Sequence, residues 1–411
     1  MKMVKQRKFQ IKACAAAAAL CVVGSAHADT DNSVTLYGIA DVGLMYLSHS
    51  TPELNGGMSN GHQISLTNSG YSPSLWGIKG VEDLGGGFKA QFNLESGISM
   101  VNGGFDNPGD NKGLFNRVAD VGISGNFGKV MAGLQFSPFF ELIYDLDPRD
   151  SSMFGSMLVP VSEQTLAAAT FMPNSVSYTS PSFGGFQLSG LYALGGVAGS
   201  FSTGRAWSVA AKYSTGTLLI GAAYIDVNNA DDVALATANP LYAINSRAWT
   251  VGASYKFGGL TGKASFANFK ANSLSPLLAG LLVPPNTPSG TSLNTSVNVY
   301  SGGVDYFVLP YLDVNAGIYY QQDRVNSGGR SITGAIGTQF FLSKRTSLYA
   351  QLGFVNNKCA GDGVCLGSGL SVENAGSGTG GMQGAGTVGS MGLGLPPGTT
   401  VGANIGIRTT F

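Results

Sequence analysis

Apolar and polar side chains alternate with a period of two along most of the chain, a pattern that predicts strands rather than helices. From Phe88 to Glu95, the residues Phe88, Ala90, Phe92 and Leu94 alternate with Lys89, Gln91, Asn93 and Glu95. Successive side chains of a strand point to opposite faces, so this segment has one apolar and one polar face. At the carboxyl end Val401, Ala403, Ile405, Ile407 and Phe411 share one parity with Thr409, while Asn404, Gly406, Arg408 and Thr410 take the other. A strand that stops at Phe411 fits the closing strand of a barrel.

Turn-forming residues divide this pattern into an alternation of short and long connections. Short turns are predicted at Asp83 to Gly87, Asn126 to Gly128, Ser182 to Gly185, Ser214 to Gly216, Gly258 to Gly259, Val308 to Pro310 and Leu342 to Arg345. Longer polar or Gly-rich connections fall near 48–70, 99–116, 137–173, 195–204, 227–246, 271–295, 323–329 and 357–399. Seven turns and eight loops join sixteen strands. The apolar run Leu277 to Val283 lies between Pro276 and Pro284 and reads as loop or a single helical turn. The Gly-rich stretch from Gly361 to Gly398 reads as one long loop, because the short segment after it forms a strand and leaves no room for another domain.

Composition turns strands into a membrane barrel. Only 11% of residues are charged, against about 25% in soluble domains. No segment beyond the amino-terminal region is long and apolar enough to cross a membrane as a helix. Hydrocarbon offers backbone groups no partner, so a sheet crosses it only when closed on itself. The expected fold is therefore an all-β, sixteen-stranded antiparallel transmembrane β-barrel, with short turns on the periplasmic side and long external loops. A barrel of about sixteen strands leaves an aqueous channel, which points to transport.

The first residues carry Lys2, Lys5, Arg7, Lys8 and Lys12, then an uncharged stretch from Ala13 to Gly24, then Ala26-His27-Ala28. This is the pattern of a cleavable export signal over 1–28, with the barrel as 29–411. Cleavage removes five basic residues from a balance of 23 basic and 23 acidic ones, leaving a formal charge of −5 that disfavours nucleic-acid binding. Of the four cysteines, Cys359 and Cys365 survive cleavage, and in an oxidising compartment they are expected to close a small disulfide loop. A metal or redox role for the pair is the weaker alternative, since no His lies beside it.

Four segments carry a family likeness. They are Ser33 to Asp41 (SVTLYGIAD), Trp76 to Gly87 (WGIKGVEDLGGG), Asn174 to Pro181 (NSVSYTSP) with Phe183 to Phe186 (FGGF), and the terminal Phe411. Through them the chain resembles, along nearly its whole mature length, the trimeric general-diffusion porins of β-proteobacteria. The resemblance implies a homotrimer in the outer membrane, among lipid and lipopolysaccharide, with the third external loop folded inward to narrow each pore. That loop is Ser137 to Pro173. On it Glu141, Asp145, Asp147, Asp150 and Glu163 are opposed only by Arg149. In such porins loop acids face wall cations across the constriction, and the field between them sets ion preference.

The wall departs from the family pattern. Leu75, Leu134 and Phe171 stand where the family commonly has Arg. Lys79 keeps a basic position and shares the lumen parity of Leu75. Arg117 matches a family arginine, although its same-parity neighbours Ala119, Val121 and Ile123 put that face toward lipid. The expected consequence is a pore less anion-selective than its relatives, even weakly cation-selective. The alternative is that other wall cations, such as Lys89, Arg324 or Arg408, compensate.

Other chemistry finds little support. His49 and His62, both in the first external loop, are the only mature histidines, and no Gly-x-Ser-x-Gly or His-Glu-x-x-His motif exists. No enzyme, cofactor or metal centre is expected. Asp231, Asp232 and the acidic stretch from Asp106 to Asp110 lack a spaced ligand set for calcium. A passive diffusion channel for small hydrophilic solutes and ions leads, ahead of a solute-specific channel and of an adhesin or phage receptor acting through its loops.

Overall fold

The computed structural model describes residues 32–48, 62–106, 113–163, 170–228, 243–274, 295–325, 329–359, 365–366 and 398–411. The predicted leader 1–28, His49, Asp231 and Asp232 lie outside the described residues. Strands β1 (Ser33–Leu47), β2 (Gln63–Asn68), β3 (Leu75–Gly85), β4 (Phe88–Gly97), β5 (Val118–Gly125) and β6 (Gly128–Phe136) lead into two helices, α1 (Pro138–Leu146) and α2 (Leu158–Glu163). The sheet resumes with β7 (Phe171–Thr179), β8 (Phe186–Ala193), β9 (Ala206–Ser214), β10 (Leu218–Asn228), β11 (Ala243–Phe257) and β12 (Leu260–Leu274). It ends with β13 (Thr295–Leu309), β14 (Leu312–Asp323), β15 (Arg330–Phe341), β16 (Thr346–Cys359), β17 (Cys365–Leu366) and β18 (Gly398–Thr410).

Every neighbour pairing is antiparallel, and β18 returns to β1 from Ile39 opposite Thr410 to Leu47 opposite Gly402. The sheet is a closed barrel. Eighteen strand segments occupy sixteen wall positions. Segments β2 and β3 share one position, pairing with the upper and lower halves of β1, and β17 is a two-residue ladder on β16. All seven short turns lie at the predicted ends, within the usual one or two residues of boundary. The predicted 48–70 loop is shorter than expected, since Gln63–Asn68 is strand; Ile64 and Leu66 point outward while Gln63 and Ser65 take the other face.

The faces follow the alternation. Val34, Leu36, Val121, Ile318, Leu352 and Ile405 are exposed on the outside, whereas Asp41, Ser208, Asn315, Gln351 and Asn404 are buried inside. An exterior of exposed Leu, Ile, Val and Phe is a lipid-facing surface, not a failed core.

Between β2 and β3 the segment Ser69 to Ser74 leaves the wall and turns into the bore. One carboxylate holds it. Asp41 accepts hydrogen bonds from the backbone N–H groups of Gly70 (3.0 Å), Tyr71 (3.1 Å) and Ser72 (2.7 Å), and from the Tyr349 hydroxyl (2.8 Å). Tyr349 reaches it across Gly70 and Gly406, where an added Cβ would come within 2.3 Å of the phenol oxygen. Asp41→Ala leaves these buried donors unpaired, at a cost of about 3–5 kcal/mol. We expect a clear drop in the heat-modifiability midpoint of the folded barrel on gels; an unchanged midpoint would mean that the inturned segment holds itself.

Candidate functional site

The inward-folded segment after β6 is the feature that shapes the bore. Ser137 caps α1 by accepting a hydrogen bond from the Phe140 N–H at 3.2 Å, and Pro138 occupies the first helical turn, where its missing N–H costs nothing. Phe139, Leu142, Ile143 and Leu146 recur at helical spacing and form the buried face. That face packs on lumen-facing Ala210, Ala223, Ile225, Ala248, Ala267, Phe269, Val299 and Tyr319. Burying the four helix side chains contributes about 6–12 kcal/mol as an upper bound. The wall is cut to fit: a Cβ on Gly221 would meet Leu142 at 2.4 Å and one on Gly252 would meet Leu146 at 2.9 Å.

Glu141, Tyr144 and Asp145 occupy the other face of α1, three and four residues apart, and are open or partly open to the bore. Asp145 accepts an ion pair from Lys212 of β9 at 2.9 Å. Further along, Asp150 pairs with Lys263 of β12 at 2.8 Å, and the same ammonium donates to the Asp147 carbonyl at 2.9 Å. Sequence reading missed Lys212 and Lys263. Their signal was present, because each is a lone cation of lumen parity in a strand otherwise filled with small or apolar residues on that face.

Asp147 and Arg149, expected to face the pore, are instead buried anchors. Asp147 accepts from the Tyr319 hydroxyl (2.6 Å) and from the N–H groups of Ser151 (2.6 Å) and Met157 (3.1 Å). Arg149 donates to Asn315 Oδ1 (3.1 Å), to Gln351 Oε1 (2.7 Å) and to the carbonyls of Phe154 and Gly155. Burial raises the Asp147 carboxyl above its ordinary range and lowers the Arg149 guanidinium below its own. Hydrogen bonds from Tyr319, Met157 and Ser151 and the nearby Arg149 charge oppose the first shift, and Tyr319, Tyr71 and Asp147 oppose the second. The physical reason for the correction is geometric: the chain turns back on itself at Asp150 and Ser151, both at positive φ, and aims these two side chains at β14 and β16. Met153 N–H then bonds the Tyr71 carbonyl at 3.0 Å, tying the far end of the loop to the inturned segment. The Glu163 side chain lies outside the described residues.

The facing wall carries the remaining sequence candidates. Lys79 has lumen parity and sits 5.2 Å from the centroid of the Tyr37 ring. Arg117 also reaches the lumen, correcting the parity argument: it precedes the first residue of β5, so strand alternation does not govern it. It forms a buried ion pair with Glu95 at 2.7 Å and lies over the Phe136 and Phe171 rings. Leu75 and Phe171 are buried there, whereas Leu134 lies opposite Ala119 on the outward face. Arg408 lies opposite Asp41 and donates to Ser72 Oγ at 2.9 Å. Lys89, opposite Asp83 and Ser124, stands beside the periplasmic turn and belongs to the mouth rather than the narrowest part. Tyr144 marks the crossing point: burial and Asp150 raise its hydroxyl, while Arg408, Arg117 and Lys263 act against them. The backbones of Cys359 and Cys365 are opposite each other in the β16–β17 ladder; their side chains lie outside the described residues. No group of three metal-ligating side chains occurs among the described residues.

A closed barrel with an apolar exterior, a wet bore and a loop pinned across it defines an outer-membrane channel. The chain belongs to the Gram-negative porin family, whose model matches residues 13–360. It is 29% identical to outer membrane porin protein 32 of Delftia acidovorans over 97% of this chain and 99% of that one. It is 26% identical to an outer membrane porin protein of Bordetella pertussis over 83% of this chain and 93% of that one. Among solved structures it resembles an anion-selective porin from Comamonas acidovorans, with a TM-score of 0.69 and 25% identity over 92% of this chain and 100% of that one. The protein is a passive diffusion channel of the outer membrane.

Two outcomes follow from the loop. Arg149→Ala removes a buried four-acceptor clamp, and we expect larger, noisier single-channel conductance; Arg149→Lys restores little, because an ammonium lacks the planar fork. Steady wild-type currents from both variants would show that the helix face alone holds the loop. The restricted water of the enclosed bore raises the Glu141 carboxyl by desolvation, with Lys212 and Lys129 opposing and Asp145 adding to the rise. Glu141 therefore neutralises earlier than an ordinary glutamate as pH falls from neutral, and the bore turns more positive. Reversal potentials should move toward anion preference over that pH interval, and Glu141→Gln should flatten the step.

Proposed function

We propose that the channel passes small hydrophilic solutes and ions with a mild preference for anions. One observation carries this reading. The loop acids Asp145 and Asp150 are cancelled by Lys212 and Lys263 in direct contact, whereas Lys79, Lys89, Lys129 and Arg408 have no ion-pair contact among the described residues. A paired charge presents only a dipole to a passing ion, while an unpaired one acts over the Debye length of about 8–10 Å. Glu141 on the loop and the lumen-parity carboxylates Asp120, Asp305 and Asp313, which also lack an ion-pair contact among the described residues, offset part of that positive potential. This reverses the preference expected from the missing arginines at Leu75, Leu134 and Phe171, since one of those positions faces outward. The anion-selective porin from Comamonas acidovorans supports the same sign.

The protein assembles as a homotrimer in this reading, as the family resemblance implies, with the smooth apolar outer faces of β1 and β18 available for contact. It is exported by a cleavable leader over 1–28, sits among outer-membrane lipid and lipopolysaccharide, and needs no cofactor or catalytic residue. Cys359 and Cys365 form a disulfide, an assignment favoured by their opposed backbones. Reversal potentials in a potassium chloride gradient test the selectivity. Chloride should permeate modestly better than potassium, and the double change Lys79→Gln with Arg408→Gln should shift the ratio toward potassium; potassium preference in the unaltered protein overturns the proposal.

A further inference from the structure

A line of aromatic rings runs from the wall onto the helix that narrows the bore. Phe136 and Phe171 lie 4.8 Å apart between centroids, and Phe140 of α1 stacks on Phe136 at 5.6 Å with the planes 9° apart. These three rings pack the start of the loop against β6 and β7. Tyr144 follows Phe140 by four residues, so it stands about 6 Å further along the same side of α1. It makes no hydrogen bond or ring contact among the described residues, and it is 50% exposed. Exposed rings on the outside of the barrel meet lipid, whereas this one meets the water of the bore. Both its faces are open to a passing solute.

The charges around Tyr144 give the sign of that solute. Those acting most on its hydroxyl are Asp150, Arg408, Arg117 and Lys263. Arg117 is held by Glu95, and Lys263 by Asp150. Arg408 is left over: it donates to Ser72 Oγ at 2.9 Å but has no ion-pair contact among the described residues. Its cross-strand neighbour Asp41 is occupied by the inturned segment and by Tyr349. On the other flank of Tyr144, Asp145 is paired with Lys212, and the Glu141 carboxylate lies within the fields of Lys212 and Lys129.

An open ring beside an uncancelled guanidinium fits a solute that is flat and apolar at one end and anionic at the other. We propose that Tyr144 is a stacking site for small aromatic carboxylates, with the solute ring on the Tyr144 ring and its carboxylate toward Arg408. The channel then passes such solutes better than saturated carboxylates of the same size and charge. One ring contact suits a channel, because a solute must be drawn in and also released. An oligosaccharide would need a run of open rings, and the three phenylalanines are packed on one another. The inference rests on the reading of the bore as anion-passing and names a solute class within it.

Bi-ionic reversal potentials across planar bilayers test it, with sodium benzoate or sodium cyclohexanecarboxylate on one side and sodium chloride on the other. Both organic anions are singly charged at neutral pH and similar in size, and only benzoate has a π face. In the unaltered protein benzoate should be about threefold or more permeant than cyclohexanecarboxylate. Tyr144→Leu should remove most of that ratio, while Tyr144→Phe should keep it. Arg408→Gln should lower the permeability of both carboxylates relative to sodium. Tyr144 lies on the open face of α1, so the exchanges leave the buried face intact, and retained heat modifiability checks this. Equal permeabilities in the unaltered protein, an undiminished ratio in Tyr144→Leu, a ratio lost in Tyr144→Phe, or stronger current block by maltose-series sugars than by benzoate overturns the proposal. Chloride against potassium, measured in the same bilayers, reads the anion preference separately: a bore that favours potassium yet keeps the benzoate ratio sinks only the selectivity reading.

Discussion

Backbone groups inside hydrocarbon have no water to bond, and the whole architecture answers to that requirement. Each strand must give all its N–H and C=O groups to neighbours, so the first and last strands must meet. They do so through β1 and β18, and the seam is finished by the reciprocal bonds between Gly38 and Phe411, each 3.1 Å. Closure fixes two environments, one on each face, and assigns every alternate residue to lipid or to water. The exposed Leu, Ile and Val of the exterior and the buried Asp, Asn, Gln and Ser of the interior follow from that single constraint.

A barrel this wide would be an open tube, and the protein gives part of its interior to narrowing it. The apolar face of α1 needs a dry partner within an otherwise polar bore. Strands β9 to β12 supply one by making their lumen face small and apolar along the helix footprint. Beyond the helix the device changes from hydrophobic packing to polar anchoring, through Asp147 on Tyr319 and Arg149 on Asn315 and Gln351. Asp41 and Arg149 act on neighbouring parts of one interior network, since Gln351 donates to the Gly70 carbonyl (2.8 Å) while accepting from Arg149. The position of the constriction is therefore set by buried hydrogen bonds, which are costly to leave half made.

Charge in the bore depends on pairing more than on composition. Five acids against one arginine on the loop suggested a negative side to the pore. Three of those five are occupied: Asp145 and Asp150 by lysines, and Asp147 by buried donors. Arg117, held by Glu95, is likewise removed from the field that a solute meets.

Period-2 alternation and turn chemistry were enough to read strand number, closure and which face is wet, because each depends on neighbours within one strand or one turn; that the Ser137 to Pro173 connection folds inward came only with the family resemblance. Lys79, Lys89 and Arg408 were placed on the lumen side on that basis alone. Arg117 was misjudged because it lies one residue before its strand, and the break between β2 and β3 was hidden because Asp41 reaches it from another strand. The pairing of Lys212 and Lys263 with loop acids, and the burial of Asp147 and Arg149, required the register of distant strands and the path of the loop. Sequence determined the barrel, since alternation is a local property that the membrane reads directly. Only tertiary structure decided which charges the solute meets, since an ion pair is made by residues whose separation along the chain carries no trace of their contact.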